Sequence, residues 1–434
     1  MDLVLRGRIL QADGTLARGA VAVKDGVISA VARNLTGRDI VDVGERVILP
    51  GATDPHVHFR DPGHPEKEDF ASGTRAAAFG GVTCVLDMPN TAPPVLDGAT
   101  LAAKLAKVRP RAHVDFGLFL GLGASGGLDG MPKATALKMY LGATTGDLLV
   151  RDEAVVRAGL AAAKAADKPA VVHGEDEGCR ERHLAEVGGR TDWLAHEDSR
   201  PAECERDAIL GVARANFGVG ARVHIAHLST EAGLGALAPG MTAEVTPHHL
   251  LLDRDDLAKG GVYKMNPPLR WPADRAALYE ALGQGRVCLA SDHAPHTLAE
   301  KRAGVWEAPS GVPGVETLLP LFLAEAAAGR LPLAAVVAAA CEMPARLFGL
   351  PKGRLEPGFD ADLVVVDLAK PRPIRGSELH SKCGWTPYEG REGVFPTHVF
   401  LRGERLVDDG DLVGAARGRF LLGTERAARN LPPG

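Results

Sequence analysis

The chain has 434 residues, of which 45% are hydrophobic and 24% charged, and its formal net charge is −5. This length suits one large barrel plus a smaller module, and the composition is ordinary for a globular protein. The mild acidic balance argues against a nucleic-acid-binding protein, because such proteins usually carry a clustered basic surplus.

The N-terminal sequence and the cysteines indicate the cellular compartment in which the protein is expected. The first residues, MDLVLRGRILQADG, lack the basic start and the long apolar core of a signal peptide. No stretch approaches the roughly 20 uninterrupted apolar residues that a membrane helix needs. The six cysteines include no C-x-x-C pair, so we expect buried free thiols rather than a disulfide scaffold. These features predict a cytoplasmic protein.

The two ends of the chain share one sequence pattern, short predicted strands separated by glycine-containing turns. Near the N-terminus, LVLRGRIL, AVAVKDGVISAVA and RVILPG combine β-branched residues with glycine turns, and FDADLVVVDL and THVFLRGERLVDDG repeat the pattern late in the chain. Each end alone has too few strands for a stable core. We therefore predict that residues 1–50 and 354–434 form one composite β-sandwich domain.

Between these ends, residues 51–353 alternate apolar strands with helical runs such as LAAKLAKV, EAVVRAGLAAAKAA and ECERDAILGVARA. This is the pattern of parallel β/α units. The eight predicted strands are GATDPHVHF, GVTCVLDMPN, VDFGLFLGL, ALKMYLG, PAVVHGED, VHIAHLST, TAEVTPHH and VCLASDHAPH. Eight such units predict a (β/α)8 TIM-type barrel, whose active site lies at the carboxyl ends of the strands.

Histidines and an aspartate occupy several of these strand ends. His56 and His58 point to the same side of a strand and can hold one metal ion, although an H-x-H pair alone can be a coincidence. His173, His227 and Asp292 each follow an apolar run. The fifth, sixth and eighth strands would therefore place them at the same carboxyl end of the barrel. We interpret His224, three residues before His227, as structural.

Lys138 lies inside the apolar strand ALKMYLG, where an unpaired ammonium would cost several kcal/mol. One interpretation is that the amine snorkels to water or meets an acid. The other is a lysine carbamylated by CO2, an anionic ligand able to bridge two cations. Together with the histidines, the second interpretation predicts a two-metal hydrolase. Imidazole and carboxylate ligands suit Zn²⁺ without excluding Mn²⁺ or Co²⁺.

Taken together, these motifs resemble those of the amidohydrolase superfamily, and within it the cyclic amidohydrolases: dihydroorotases, allantoinases and hydantoinases. The resemblance spans nearly the whole chain and is strongest to class I dihydroorotases. The stretches that carry it are DPHVHFRDPG, DMPNT, LKMYLGATTGDLL, HGEDE, HIAHLST, AEVTPHHL, MNPPLR, SDHAPHT and PSGVPGVETLLPL. HGEDE stands where relatives often have HCEDE, and this departure leaves the ligand histidine intact.

The resemblance implies a role for each ligand. The more buried metal would bind His56, His58 and Asp292, the second metal would bind His173 and His227, and carbamylated Lys138 would bridge both. Some relatives bridge the metals with an aspartate, and the nearby Asp147 and Asp152 leave that alternative open.

The resemblance also implies recognition of a ring that carries an exocyclic carboxylate. Arg60, two residues after His58, would bind the carboxylate bidentately, unless it forms a salt bridge with Asp61 or Glu66 instead. The other implied substrate-binding groups are Asn90, Asn266, His296 and the backbone of Ser310, Gly311 and Val312. Hydantoinase-like enzymes need no arginine at this position, so the set favours a dihydroorotase.

The implied reaction is the reversible hydrolysis of (S)-dihydroorotate to N-carbamoyl-L-aspartate, in de novo pyrimidine biosynthesis. A hydroxide held between the metals would attack the ring amide, and Asp292 would transfer the proton as acid and base. The alternatives are an allantoinase, a hydantoinase or dihydropyrimidinase, or a non-catalytic scaffold for aspartate transcarbamoylase. A homodimer and a transcarbamoylase partner are further expectations. We expect the polar segment 377–393 to pack on the barrel as a loop.

Overall fold

The computed structural model describes residues 1–123, 127–144 and 148–423. Its strands are β1 (Leu3–Leu10), β2 (Leu16–Lys24), β3 (Val27–Ala32), β4 (Asp39–Pro50), β5 (Ala52–Val57), β6 (Val82–Asp87), β7 (Asp115–Gly121), β8 (Ala136–Tyr140), β9 (Ala170–His173), β10 (Val223–Ile225), β11 (Thr242–Val245), β12 (Cys288–Leu289), β13 (Leu363–Val366), β14 (Arg372–Pro373), β15 (Glu392–Gly393), β16 (Pro396–Leu401), β17 (Glu404–Asp408) and β18 (Asp411–Leu412). Its α-helices are α1 (Phe70–Phe79), α2 (Gly98–Val108), α3 (Glu153–Ala165), α4 (Glu177–Val187), α5 (Leu194–Asp198), α6 (Ala202–Asn216), α7 (Glu231–Gly235), α8 (Pro247–Leu251), α9 (Arg254–Leu257), α10 (Pro272–Gly283), α11 (Leu298–Lys301), α12 (Leu318–Ala327), α13 (Leu333–Val337) and α14 (Met343–Leu347).

The barrel consists of β5 to β12, eight strands that pair in parallel in chain order. Each of them lies within one of the eight strands predicted from the sequence. The first and last strands meet through a parallel bridge between Val57 and His293, and the His58 N–H donates to the His293 carbonyl over 2.7 Å. The predicted (β/α)8 barrel is confirmed.

Helix α3 packs on the barrel and buries one face. In α3, Val156, Leu160 and Ala163 are buried, while the alanines of the opposite face are exposed. Asp69 caps α1 and Asp97 caps α2, and each aspartate accepts a hydrogen bond from the third N–H of its helix. The runs predicted as helical correspond to α2, α3 and α6.

The two chain ends form one mixed sheet of eight strands in the order β3-β2-β1-β4-β13-β16-β17-β18. β1 pairs in parallel with β4, and β4 pairs antiparallel with β13 from the C-terminal part of the chain. The Asp25–Gly26 turn, with φ of 52° and 80°, makes the predicted hairpin between β2 and β3. The sheet therefore joins both ends as expected, and the domain boundary at residue 354 stays a prediction.

The expectation of free thiols is wrong for two of the six cysteines. Cys179 on α4 and Cys204 on α6 form a disulfide with their Cα atoms 5.4 Å apart. They are separated by 25 residues, and it is the packing of two helices that brings them within bonding reach, so the local sequence gives no signal. Cys84, Cys288 and Cys341 are buried free thiols, as expected, and Cys383 is free but only partly buried.

Across the described parts of the chain, none of the helices has both the length and the apolar character needed to span a bilayer.

Candidate active site

The predicted site residues converge at the carboxyl end of the barrel. β5 carries His56, and His58 follows its end; β9 ends on His173; His227 and Asp292 follow β10 and β12. One cavity is lined by His56, His58, Arg60, Asn90, Tyr140, Thr144, His173, His227, Asn266, Asp292, Ala294, Ser310 and Gly311. Residues from distant parts of the sequence therefore share one chamber.

His56, His58 and Asp292 form a compact donor set. The Asp292 Oδ1 atom lies 3.4 Å from His56 Nε2 and 3.2 Å from His58 Nε2, and one ligand atom from each residue falls within 4.8 Å of the others. Although burial opposes ionisation, His56 and His58 hold the pKa of Asp292 well below its usual value. An anionic carboxylate beside two imidazoles fits a divalent cation.

The far nitrogens of these imidazoles are held by other side chains. His56 Nδ1 contacts the carboxylate of Glu244, and His58 Nδ1 lies 2.7 Å from the Asn90 amide oxygen. A carboxylate or amide oxygen at Nδ1 fixes the ring with its proton there and leaves Nε2 as a lone-pair donor. The predicted substrate residue Asn90 thus also orients a predicted metal ligand.

His173 and His227 form the second donor group. His173 Nδ1 lies 2.9 Å from His227 Nε2, and His173 Nε2 lies 2.8 Å from Glu175, which Arg200 holds at 2.6 Å. Burial lowers the pKa of both histidines, so both rings are neutral donors. Two neutral nitrogens that face each other beside the first donor set fit a second cation.

Lys138 is completely buried, and its Nζ atom lies 3.5 Å from His56 Nε2. Burial lowers its pKa to about 8, against the attraction of Glu244 and Asp292. It neither snorkels to water nor forms an ion pair with any residue of the described chain. Asp152 does not offer a bridge, because it is exposed and caps α3 through the Ala154 N–H. Asp147 lies outside the described residues.

Three site residues have a left-handed backbone. Arg60, His227 and Asp292 have φ values of 58°, 35° and 45°, a region that non-glycine residues rarely adopt. Each follows a barrel strand at the point where the chain turns into a loop. Such strain persists only where the surrounding structure fixes it, and it is concentrated at functional sites.

Arg60 is buried and forms no salt bridge with Asp61 or Glu66. Asp61 pairs with Arg111 at 2.5 Å, and Glu66 pairs with His64 at 3.4 Å. The Arg60 guanidinium instead contacts the Pro295 carbonyl and lies 3.1 Å from His296 Nε2. These neighbours are neutral, so its charge has no anionic partner among the residues that the structure describes.

The remaining predicted substrate residues differ in their access to the cavity. Asn266, Ser310 and Gly311 line it, whereas His296 lies behind Arg60 and is not part of the wall. Burial and the nearby cations hold the pKa of His296 far below its usual value. Val312 is buried, and its carbonyl already accepts the Ala294 N–H over 2.9 Å.

Sequence reasoning did not identify Tyr140, Thr144 and Ala294 as cavity residues. The Tyr140 hydroxyl is buried, and nothing within the described ranges bonds to it. A signal was present, because Tyr140 lies two residues after Lys138 on β8, so both side chains point to the same face. The supporting carboxylates Glu175 and Glu244 were also missed.

The segment 377–393 packs against the loops of this site. The Trp385 indole N–H donates to the His296 carbonyl over 2.8 Å, and the Ser381 hydroxyl donates to Glu68 over 2.6 Å. The segment thus fixes the loop that carries His296, as expected for a loop packed on the barrel.

The sequence of this chain is similar to those of known amidohydrolases. The model of the amidohydrolase family matches residues 47–406. A dihydroorotase from Halobacterium salinarum is 44% identical over 90% of this chain and 94% of its own length. A dihydroorotase from Methanosarcina mazei is 36% identical over 97% of this chain and 98% of its own.

Solved structures of related enzymes share the fold. An L-hydantoinase (dihydropyrimidinase) from Arthrobacter aurescens superposes with a TM-score of 0.90 at 28% identity, covering 96% of this chain and 99% of its own. A dihydropyrimidinase from Brevibacillus agri gives a TM-score of 0.89 at 25% identity, covering 98% of this chain and 99% of its own.

Proposed function

Because this chain belongs to the amidohydrolase family, and within it to the dihydroorotases, we propose that it interconverts (S)-dihydroorotate and N-carbamoyl-L-aspartate. As a family member it is a cyclic amidohydrolase that uses divalent metal and acts on a small molecule. One observation carries the choice of substrate: Arg60 offers a buried guanidinium to the cavity, and the described residues give it no acidic partner. A planar fork of this kind binds a carboxylate bidentately.

The side chains present fit two cations. His56, His58 and Asp292 would hold one, and His173 and His227 the other; Zn²⁺ is the proposed metal because the donors are imidazole and carboxylate. When bound, such metals lower the pKa of a water molecule and polarise the attacked carbonyl.

We further propose that Lys138 acts as a carbamate. A carbamate would replace a buried positive charge by an anionic oxygen donor, and this removes the repulsion between an ammonium and two cations. Its support is the position of Nζ, 3.5 Å from the Nε2 atom of His56, on a side chain that is completely buried.

Labelling with ¹³C-bicarbonate tests the carbamate without relying on activity. Metal-free protein reloaded with Zn²⁺ should show a carbamate carbon signal by NMR, and Lys138→Ala should lack it. Activity should return with metal and bicarbonate together. Full recovery in bicarbonate-free buffer, with no carbon signal, would contradict the proposal.

We assign the remaining steps, substrate binding and proton transfer, to side chains of the cavity. Arg60, Asn90 and Asn266 would hold the exocyclic carboxylate and the ring amide, which fixes the ring against the metal ligands. The Tyr140 hydroxyl would donate to the oxygen of the attacked carbonyl, where charge develops. Asp292 would accept a proton from the attacking water at its carboxylate and deliver it to the departing ring nitrogen. In ring closure the same carboxylate removes that proton.

A second candidate is a hydantoinase or dihydropyrimidinase, which the superposition with the Arthrobacter enzyme favours. Assays of dihydroorotate, allantoin and dihydrouracil side by side separate the two. We expect kcat/KM for dihydroorotate to exceed the others by about 10³-fold or more, since a buried unpaired guanidinium disfavours a ring without a carboxylate. Preference for dihydrouracil would assign the second function.

The alternative of a non-catalytic scaffold is disfavoured, because every implied ligand side chain is present at the cavity or, for Lys138, adjacent to it. Homodimer formation and association with aspartate transcarbamoylase stay predictions.

A further inference from the structure

A second cavity adjoins the metal chamber. Its volume is about 340 Å³, and it shares Thr144, Asn266 and Ser310 with the chamber wall. The two cavities therefore adjoin at these residues, which form their common wall. We call this second cavity the vestibule.

The vestibule is cationic. Arg180 from α4, Arg200 from the turn before α6 and Lys264 from the loop before Asn266 line it, and no acidic residue does so within the described chain. This local surplus contrasts with the net charge of −5 of the whole molecule. Three separate segments supply the charges, so the surplus is a property of the fold and not of one basic run.

The acidic partners of these cations do not line the vestibule. Glu175 holds Arg200 at 2.6 Å beside His173, and Glu177 holds the Arg180 Nε atom at 2.8 Å. Glu177 lines a neighbouring cavity together with Arg151. The carboxylates thus orient the guanidinium groups and leave the cations as the nearest charges to a ligand in the vestibule.

Lys264 has bonding capacity left. Its ammonium donates to the carbonyls of Val305 over 2.6 Å and Ala308 over 2.5 Å, and an ammonium has three donors. Lys264 is buried, with 5% relative exposure, and no described residue accepts the third N–H of its ammonium. On the shared wall, the buried Asn266 Oδ1 atom also has no partner among the described residues.

We propose that the vestibule is a capture site for a small dicarboxylate, the open-chain form of the substrate, before it enters the metal chamber. This inference rests on the proposed function, in which the open-chain acid carries two carboxylates and the ring form one. Attraction between charges scales with the charge of the ligand. The vestibule therefore favours the dianion over the monoanion and raises its rate of entry.

Arg180→Gln tests this, because the side chain lies outside the chamber and is not a metal ligand. At low salt, kcat/KM for N-carbamoyl-L-aspartate should fall about tenfold and that for dihydroorotate about threefold, with kcat unchanged. In about 1 M salt, where the screening length is about 3 Å, both differences should disappear. Calorimetry then measures binding without turnover. Adding Arg180→Gln to the Asp292→Ala variant should lower the affinity for the dianion about tenfold relative to Asp292→Ala alone.

Arg151→Gln is the matched control. Arg151 also contacts Glu177, at 3.5 Å, and carries the same charge, but it lines the neighbouring cavity. Its kcat/KM values should stay within about twofold of the wild type for both substrates. Equal losses in both variants, equal effects on both substrates, or losses that do not depend on salt would overturn the proposed capture of the dianion in the vestibule. If the wild type acts on neither substrate, the proposed function fails instead.

Discussion

The barrel gathers buried charges at both of its ends, and it balances them differently. At the amino end of β7, the Lys352 Nζ atom lies 2.8 Å from Asp115, 2.8 Å from Asp360 and 2.6 Å from Asp362. At the carboxyl end, within the described residues, no lysine or arginine forms an ion pair with Asp292, and the buried Lys138 contacts His56 but has no carboxylate partner.

Both places satisfy the geometry of a metal site, because three possible ligands lie within 4.8 Å of one another in each. At the amino end the chain itself supplies the cation. Although burial would lower the pKa of Lys352, Asp362, Asp115 and Asp360 raise it well above its usual value. This end therefore joins the barrel to the segment that leads into β13, whereas under the proposed function ions and substrate would complete the carboxyl end.

Asp292→Ala should have the largest effect at the carboxyl end. We expect kcat/KM to fall by about 10⁴-fold, since the variant removes both the proposed acid–base group and a proposed metal ligand. The free energy of unfolding should change by about 1 kcal/mol or less, measured by denaturant titration. A variant that keeps a near-normal rate would show that another group moves the proton.

Lys352→Met should have the opposite profile. It removes the lysine from the buried carboxylates of Asp115 and Asp362 and from the partly buried Asp360, so the free energy of unfolding should fall by about 3–5 kcal/mol, although Arg402 still pairs with Asp115. The kcat of the remaining folded protein should stay near that of the wild type. Lys370→Met is the control, because Lys370 is exposed, and it should change stability by about 0.5 kcal/mol or less. Equal stability of the two variants would remove the contrast between the barrel ends.

Arg60→Gln should raise KM for N-carbamoyl-L-aspartate by about 10–100-fold, the range expected for a charge-assisted bidentate contact. Stability should not fall, because no anion in the described structure loses a partner. Arg111→Gln serves as the control, since Arg111 pairs with Asp61 outside the cavity. An unchanged KM in Arg60→Gln would refute carboxylate recognition by this residue.

Tyr140→Phe should have a smaller effect, a drop in kcat of about tenfold with little change in KM, because one neutral hydrogen bond is lost. Tyr388 provides a matched control. Its hydroxyl is also buried without a described partner, but it does not line the chamber. Tyr388→Phe should leave steady-state kinetics unchanged, and similar losses in both variants would point to packing instead of catalysis.

Much of the site could be predicted because the relevant signals are local. An apolar run followed by His173 or Asp292 marks a strand end, and parallel strands bring all such ends to one side. The supporting contacts are not local: Glu244 reaches His56 across 188 residues of sequence. The same holds for Cys179 and Cys204, whose distance depends on how two helices pack.

The sequence by itself determined the barrel, the association of the two chain ends and the group of candidate ligand residues, since strand patterns and the residues at strand ends can be read from neighbouring positions. The tertiary structure alone decided that Arg60 has no anionic partner among the described residues, that His296 lies behind it, and that Lys352 pairs with three aspartates at the other end of the barrel. Charge balance in a buried site depends on which distant groups come within a few ångströms, and a linear pattern does not specify that distance.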